Sequence, residues 1–264
     1  MRRTEEKVSL PFRVSPSLVK SYVFCPRNFQ IIKFYLKENN IPKKIPTRSA
    51  VLGRFSHASF YYMYRDVLGG LKFSKDFEEY KAFLEKDHDF VSLLYEKDVI
   101  DVRDNLYELE KSLLLNSFDF LLKIRNSIQI SEILVWEEKI EGTIKDFPRL
   151  VFEVIPDFVA TTKRGNYVLI DIKNRRNSES QKIPYIIYNE ILKEKFGAEF
   201  IILSIDVLKK KIYRHDYNLN YKQYLYTQLR MLEKSLATNV YPQKTKNCVE
   251  CKVRSLCRNL PYQI

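Results

Sequence analysis

Two sets of residues in this chain have the types and spacing to do chemistry. The first is the whole thiol inventory: Cys25 alone near the start, then Cys248, Cys251 and Cys257 as C-x2-C-x5-C near the end. Such an array can converge on one small object, with the remaining ligand brought from the far end of the chain. Four thiolates suit an iron–sulfur cluster or a zinc ion, whereas a disulfide reading leaves the C-x2-C pair unexplained. The second set lies between the two halves: Asp157 in Ile155-Pro156-Asp157, and Asp171-Ile172-Lys173. Residues i and i+2 of a strand share a face, so Asp171 and Lys173 point into one site. A hairpin through Gly165 lays Asp157 alongside. Two close carboxylates repel unless a cation sits between them, and hard oxygen ligands suit Mg2+ or Mn2+. A bound ion of that kind lowers the pKa of its water and stabilises charge on a phosphate oxygen. Lys173 can position that water or stabilise the same charge.

The elements that must hold these residues follow from pattern. Ser15-Pro16 is a helix start, since Ser caps and Pro at the first helical position loses no bond; Cys25-Pro26 closes that helix. A second helix is expected from Gln30 to Leu36, a third from Thr47 to about Arg65, and residues 74–128 read as helical throughout. Val102, Leu106, Leu109 and Leu113 keep helical spacing there among charged residues. At Glu132 the period shifts towards two, and ILVWEEKIEG, LVFEVIPDFVATT and YVLIDIKN read as three strands. Lys163-Arg164-Gly165-Asn166 turns the last two into a hairpin, with Gly and Asn supplying the unusual backbone angles. A helix over 179–195, strands FIILSID and KIYRHDY, and an amphipathic helix over 221–236 complete the series. Helices flanking a central mixed sheet make the fold α/β or α+β.

The formal charge is +12, from 45 basic and 33 acidic side chains, which suits a polyanionic partner such as nucleic acid. No apolar run approaches the ~20 residues of a membrane helix, and the start lacks a signal peptide's apolar stretch. The expectation is an intracellular, cytoplasmic protein with no membrane partner. His88 and His215 read as ordinary, the first in a charged helix and the second at a polar strand end.

Taken in order, FCPRNF with Cys25, GRFSH with His57, IPDFV with Asp157, DIK with Asp171 and Lys173, QKIPY with Gln181 and Tyr185, and CVECKVRSLC resemble the RecB-like PD-(D/E)xK nucleases. The closer resemblance is to the CRISPR-associated exonucleases with a cysteine-bound iron–sulfur cluster. It spans residues 15 to 260, although most of 62–150 carries no motif. It implies a single RecB-like nuclease domain over 1–264 on a restriction-endonuclease-like core, with a helical insertion over 66–130. Residues 15–30 and 240–260 would form an iron–sulfur region joining the termini.

The resemblance further implies metal coordination by His57, Asp157, Asp171 and the carbonyl of Ile172, with Lys173 as catalytic lysine. Gln181 and Tyr185 would shape the site or hold the DNA strand, and Cys25, Cys248, Cys251 and Cys257 would bind a [4Fe–4S] cluster. Arg175 and Arg176 directly follow the DIK strand and are placed to meet phosphates. The implied activity is a Mg2+- or Mn2+-dependent deoxyribonuclease, an exonuclease on single-stranded DNA or overhangs. It would trim DNA for CRISPR spacer acquisition in antiviral defence, beside the spacer-integration complex. Zinc at the thiolates, a non-catalytic DNA-binding subunit, and a recombination or viral nuclease outside CRISPR stay open as alternatives. The long interval between His57 and Asp157 is expected to form an arch or lid.

Overall fold

In a computed structural model, the residues described are 11–35, 127–173, 182–206, 211–216, 218–249, 251 and 253–259. Strand β1 (Phe12–Val14) leads into helices α1 (Pro16–Phe24) and α2 (Pro26–Gln30) and a π-helical turn, Ile31–Tyr35. Strands β2 (Ile130–Trp136), β3 (Ile140–Ile144), β4 (Phe147–Val154), β5 (Phe158–Thr162) and β6 (Tyr167–Lys173) follow. Helix α3 (Lys182–Phe196) separates β6 from β7 (Phe200–Asp206), which pairs with β8 (Lys211–His215). The chain ends in α4 (Leu219–Thr238), a 3-10 turn (Thr245–Asn247) and α5 (Arg254–Asn259).

Two sheets result. One has the order β1-β4-β3; the other has the order β2-β5-β6-β7-β8. In the larger sheet β6 and β7 run parallel while the other neighbours are antiparallel. A parallel pair needs a crossover, and α3 supplies it. Central β6 is buried along Val168, Leu169, Ile170, Asp171 and Ile172, as expected of a strand covered on both faces. Strand β4, central in the smaller sheet, alternates, with Leu150, Phe152 and Val154 buried. The core packs Leu169, Leu150, Phe152 and Val154 with Val19 and Tyr22 of α1, Ile186, Ile187 and Ile191 of α3, and Leu225, Leu229 and Leu232 of α4. The fold is mixed α+β, with mixed sheets flanked by helices.

The expected boundaries change where the backbone must bend. Ser15 caps α1 as expected, its Oγ accepting from Leu18 N at 3.3 Å. The second helix starts earlier than expected, at Pro26, and passes into the π-helical turn at Ile31. ILVWEEKIEG is not one strand: Glu137 takes a positive φ of 44° and donates its N–H to Pro156 O at 3.0 Å, ending β2. LVFEVIPDFVATT likewise divides, because Pro156 has no N–H for a ladder, and β4 and β5 fall in different sheets. The hairpin forms as expected, with Gly165 at φ 78° donating to Thr162 O at 2.8 Å. Glycine alone provides the left-handed angle there, and Asn166 is not at positive φ.

Candidate active site

The sheet change at Ile155–Asp157 places a carboxylate at the end of the central strand. Register pairs Phe158 with Ile170 across β5 and β6, so Asp157, one residue before β5, stands beside Asp171. Asp157 Oδ2 accepts the Ile172 N–H at 2.6 Å. The carboxylate thus serves as backbone acceptor where β5 has run out, which fixes it against β6. Asp171 is 8% exposed, and its Oδ2 accepts from the Tyr185 hydroxyl at 2.6 Å. Tyr185 sits on the first turn of α3, so crossover helix and strand lock together at the carboxylate.

A shell of polar side chains surrounds this pair. Tyr188, one helical step beyond Tyr185, donates its hydroxyl to Ile155 O at 2.9 Å, tying α3 to the bend that carries Asp157. Burial, with the negative field of Asp157 and Asp171 behind it, pushes both phenols well above their ordinary range. His215 on β8 lies over Tyr185 with ring centroids 4.5 Å apart, and its Nε2 meets Ser204 Oγ at 2.8 Å. Burial lowers the His215 pKa below its usual value; Asp171 and Asp216 oppose that and Lys182 adds to it. Register sets Ser204 beside Asp171 and buried Asp206 beside Lys173 across the parallel β6–β7 pair.

The thiols converge at the C-terminal end of α1. Cys25 and the three C-terminal cysteines line one cavity of about 460 Å3 with Asn28, Gln243 and Lys244. N–H groups point at the sulfurs: Asn28 Nδ2 to Cys251 at 3.3 Å, Gln243 Nε2 to Cys248 at 3.2 Å, and Lys244 N to Cys25 at 3.4 Å. Arg27 hydrogen-bonds Cys257, and burial raises that thiol's pKa. Lys244 Nζ reaches Val23 O at 2.8 Å and Asn247 donates to Phe24 O, so the C-terminal segment is stitched directly to α1. Among the described residues, no three His, Cys, Asp or Glu side chains are set closely enough to hold a single metal ion.

The structure therefore brings together Asp157, Asp171, the Ile172 backbone and Tyr185, and separately gathers the four cysteines. Tyr185 is 1% exposed; its position organises a carboxylate and leaves no ring face for a base. His57, Arg175, Arg176, Gln181 and nearly all of 66–130 lie outside the described residues, as does the side chain of Lys173. Tyr188, Ser204, Asp206 and His215 were not legible as site residues. Tyr188 carried one faint signal, its i+3 spacing from Tyr185 on an amphipathic helix. Among the described residues no helix is long and apolar enough to cross a membrane.

No curated protein matches the sequence. A solved structure similar in fold comes from Eubacterium rectale and is named "Putative exonuclease"; it shares 12% identity, covers 99% of this chain and 94% of its own, and superposes with a TM-score of 0.56. The profile of the PD-(D/E)XK nuclease superfamily matches residues 13–258, and the chain belongs to that superfamily.

Proposed function

We propose that this nuclease is a Mg2+- or Mn2+-dependent exonuclease that shortens single-stranded DNA or overhangs, and that it trims DNA for CRISPR spacer insertion. The observation that carries the hydrolytic reading is the meeting of Asp157 and Asp171 at the end of β6, each pinned by a 2.6 Å hydrogen bond. The donor set is hard oxygen, which fits Mg2+ or Mn2+ and not a soft metal. Asp157, Asp171 and the Ile172 carbonyl would hold the ion, with His57 as a further ligand. When bound, the ion supplies Lewis-acid stabilisation of phosphate charge and an acidified water. The chain's own residues do the rest. Ile172 N–H and the Tyr185 hydroxyl aim the carboxylates, Tyr188 anchors the bend bearing Asp157, and Lys173 stabilises charge at the scissile phosphate. Arg175 and Arg176 would hold the strand by its phosphates. The link to spacer acquisition and to the integration complex rests on the ordered motif series and its cysteine array.

The thiol cavity fits a [4Fe–4S] cluster held by Cys25, Cys248, Cys251 and Cys257. Its ligands are all sulfur, amide donors point at three of the sulfurs, and about 460 Å3 is far more room than one ion requires. Anaerobic purification with iron, sulfide and zinc assays tests the cluster: about four irons per chain is the expected result, and one zinc without iron overturns it. Cleavage of a labelled single-stranded oligonucleotide, compared with a blunt duplex, tests the activity. Asp171→Ala should abolish cleavage with fold retained; wild-type cleavage by that variant removes Asp171 from the reaction.

A further inference from the structure

Each link in the polar chain running inward from β8 has a defined proton direction. A carboxylate only accepts, so the single proton of Tyr185 is spent on Asp171 Oδ2, 2.6 Å away. Ser204, set beside Asp171 by the parallel β6–β7 register, also meets the Tyr185 hydroxyl. The proton in that contact is therefore Ser204's own. The remaining bond, Ser204 Oγ to His215 Nε2 at 2.8 Å, must then take its proton from the ring. The result is a one-way row of donors, His215 Nε2–H to Ser204 to Tyr185 to Asp171.

Burial makes the row stringent. Ser204 and Tyr185 are each 1% exposed, so water cannot replace a missing member, and buried chains of hydrogen bonds polarise one another. The elements are also independent: His215 comes from β8, Ser204 from β7, Tyr185 from α3 and Asp171 from β6. Four separate elements thus contribute one link each.

We infer that His215 and Ser204 are positioning residues of the nuclease site, holding the Tyr185 hydroxyl on Asp171 and so setting the orientation of that carboxylate for the reaction. This rests on the proposed role of Asp171. In this role neither residue is a DNA contact, so their loss should lower kcat and leave KM for DNA unchanged.

The test uses the full chain and a labelled single-stranded oligonucleotide with saturating Mn2+. His215→Phe keeps a ring over Tyr185 but donates nothing; His215→Gln keeps an N–H near the place of Nε2. His215→Phe should lower kcat about tenfold, the scale of one lost hydrogen bond, and His215→Gln should recover most of it. Ser204→Ala should match His215→Phe, and the double variant should be no worse than either, since one broken row cannot be broken twice. Ser204→Ala carries the test alone if His215→Phe does not fold. Wild-type kcat in both variants, beside an inactive Asp171→Ala, overturns the inference and leaves the nuclease reading standing. An active Asp171→Ala overturns both. A uniform loss in which His215→Gln is no better than His215→Phe assigns His215 to packing and overturns its positioning role.

Discussion

Asp157 accepts the Ile172 N–H and is also a proposed metal ligand, and substitution can part the two duties. Asp157→Ala removes the acceptor and leaves a backbone N–H at a residue 1% exposed. An unsatisfied buried donor costs about 1–3 kcal/mol. For a chain of this size each kcal/mol lowers Tm by about 2–4 °C, so Asp157→Ala should melt roughly 2–12 °C below wild type. Relief of repulsion from Asp171 offsets part of this when no metal is bound. Asp157→Asn keeps an oxygen in the same place and exchanges a charge-assisted bond for a neutral one, a loss of about 1 kcal/mol. In chelator, the melting order should be wild type, then Asn, then Ala. In Mg2+ or Mn2+ the wild type should rise, by about 2.7 kcal/mol at a hundredfold excess over Kd, while neither variant responds fully. Both should fail to cleave DNA. Equal melting of Asn and Ala in chelator would refute the ladder-extending role, and cleavage by Asn at the wild-type rate would refute the metal role.

Two further substitutions probe the scaffold that holds the site. Tyr22→Phe deletes a buried 2.8 Å bond between α1 and Ser235 of α4 and should cost about 1 kcal/mol in urea unfolding. Adding Ser235→Ala should cost little more, because removing both partners leaves no orphan; strict additivity would argue against the bond. Gly142→Val meets α3 directly, since even a Cβ there would lie 3.0 Å from Ile191 Cγ2. Overpacking of this kind costs about 1–3 kcal/mol, and a smaller companion, Ile191→Ala, should recover part of it in a chemical melt; wild-type stability of Gly142→Val alone would show that the contact yields freely.

What could be read from sequence was what local chemistry decides. Ser15 before Pro16 caps a helix whatever surrounds it, and Gly165 at positive φ turns a hairpin by itself. The alternation of Asp171 and Lys173 places both on one face of any strand. The thiol array was legible because its 1+3 spacing lets four cysteines converge, and all four line one cavity. Strand limits were harder. Ile133 to Gly142 looks like one extended run, and the acceptors at Pro156 O and Asp157 O, distant in sequence, make Glu137 a corner. The surroundings of His215 were hidden for the same kind of reason. Its ring is defined by Tyr185 and Ser204, which arrive from α3 and β7, and no window of neighbouring residues contains that information.

The separation of thiol cavity from carboxylates hides a mechanical connection. Cys25 ends α1, its N–H donating to Ser21 O at 2.9 Å, and begins α2, its carbonyl accepting from Phe29 N at 3.2 Å. Its sulfur is therefore aimed by two helix ends at once. Phe29 stacks on Tyr241, at 6.0 Å and 27°, just ahead of the segment carrying the other cysteines. On its other side α1 packs against α3, the helix that presents Tyr185 to Asp171 and Tyr188 to Ile155. An object held at the four sulfurs would thus brace α1, and α1 packs against the helix on which the carboxylate shell depends. Cysteine loss should accordingly impair cleavage by loosening α3 rather than by removing a reacting group, so activity lost by a cysteine variant is no sign of chemistry at the thiolates.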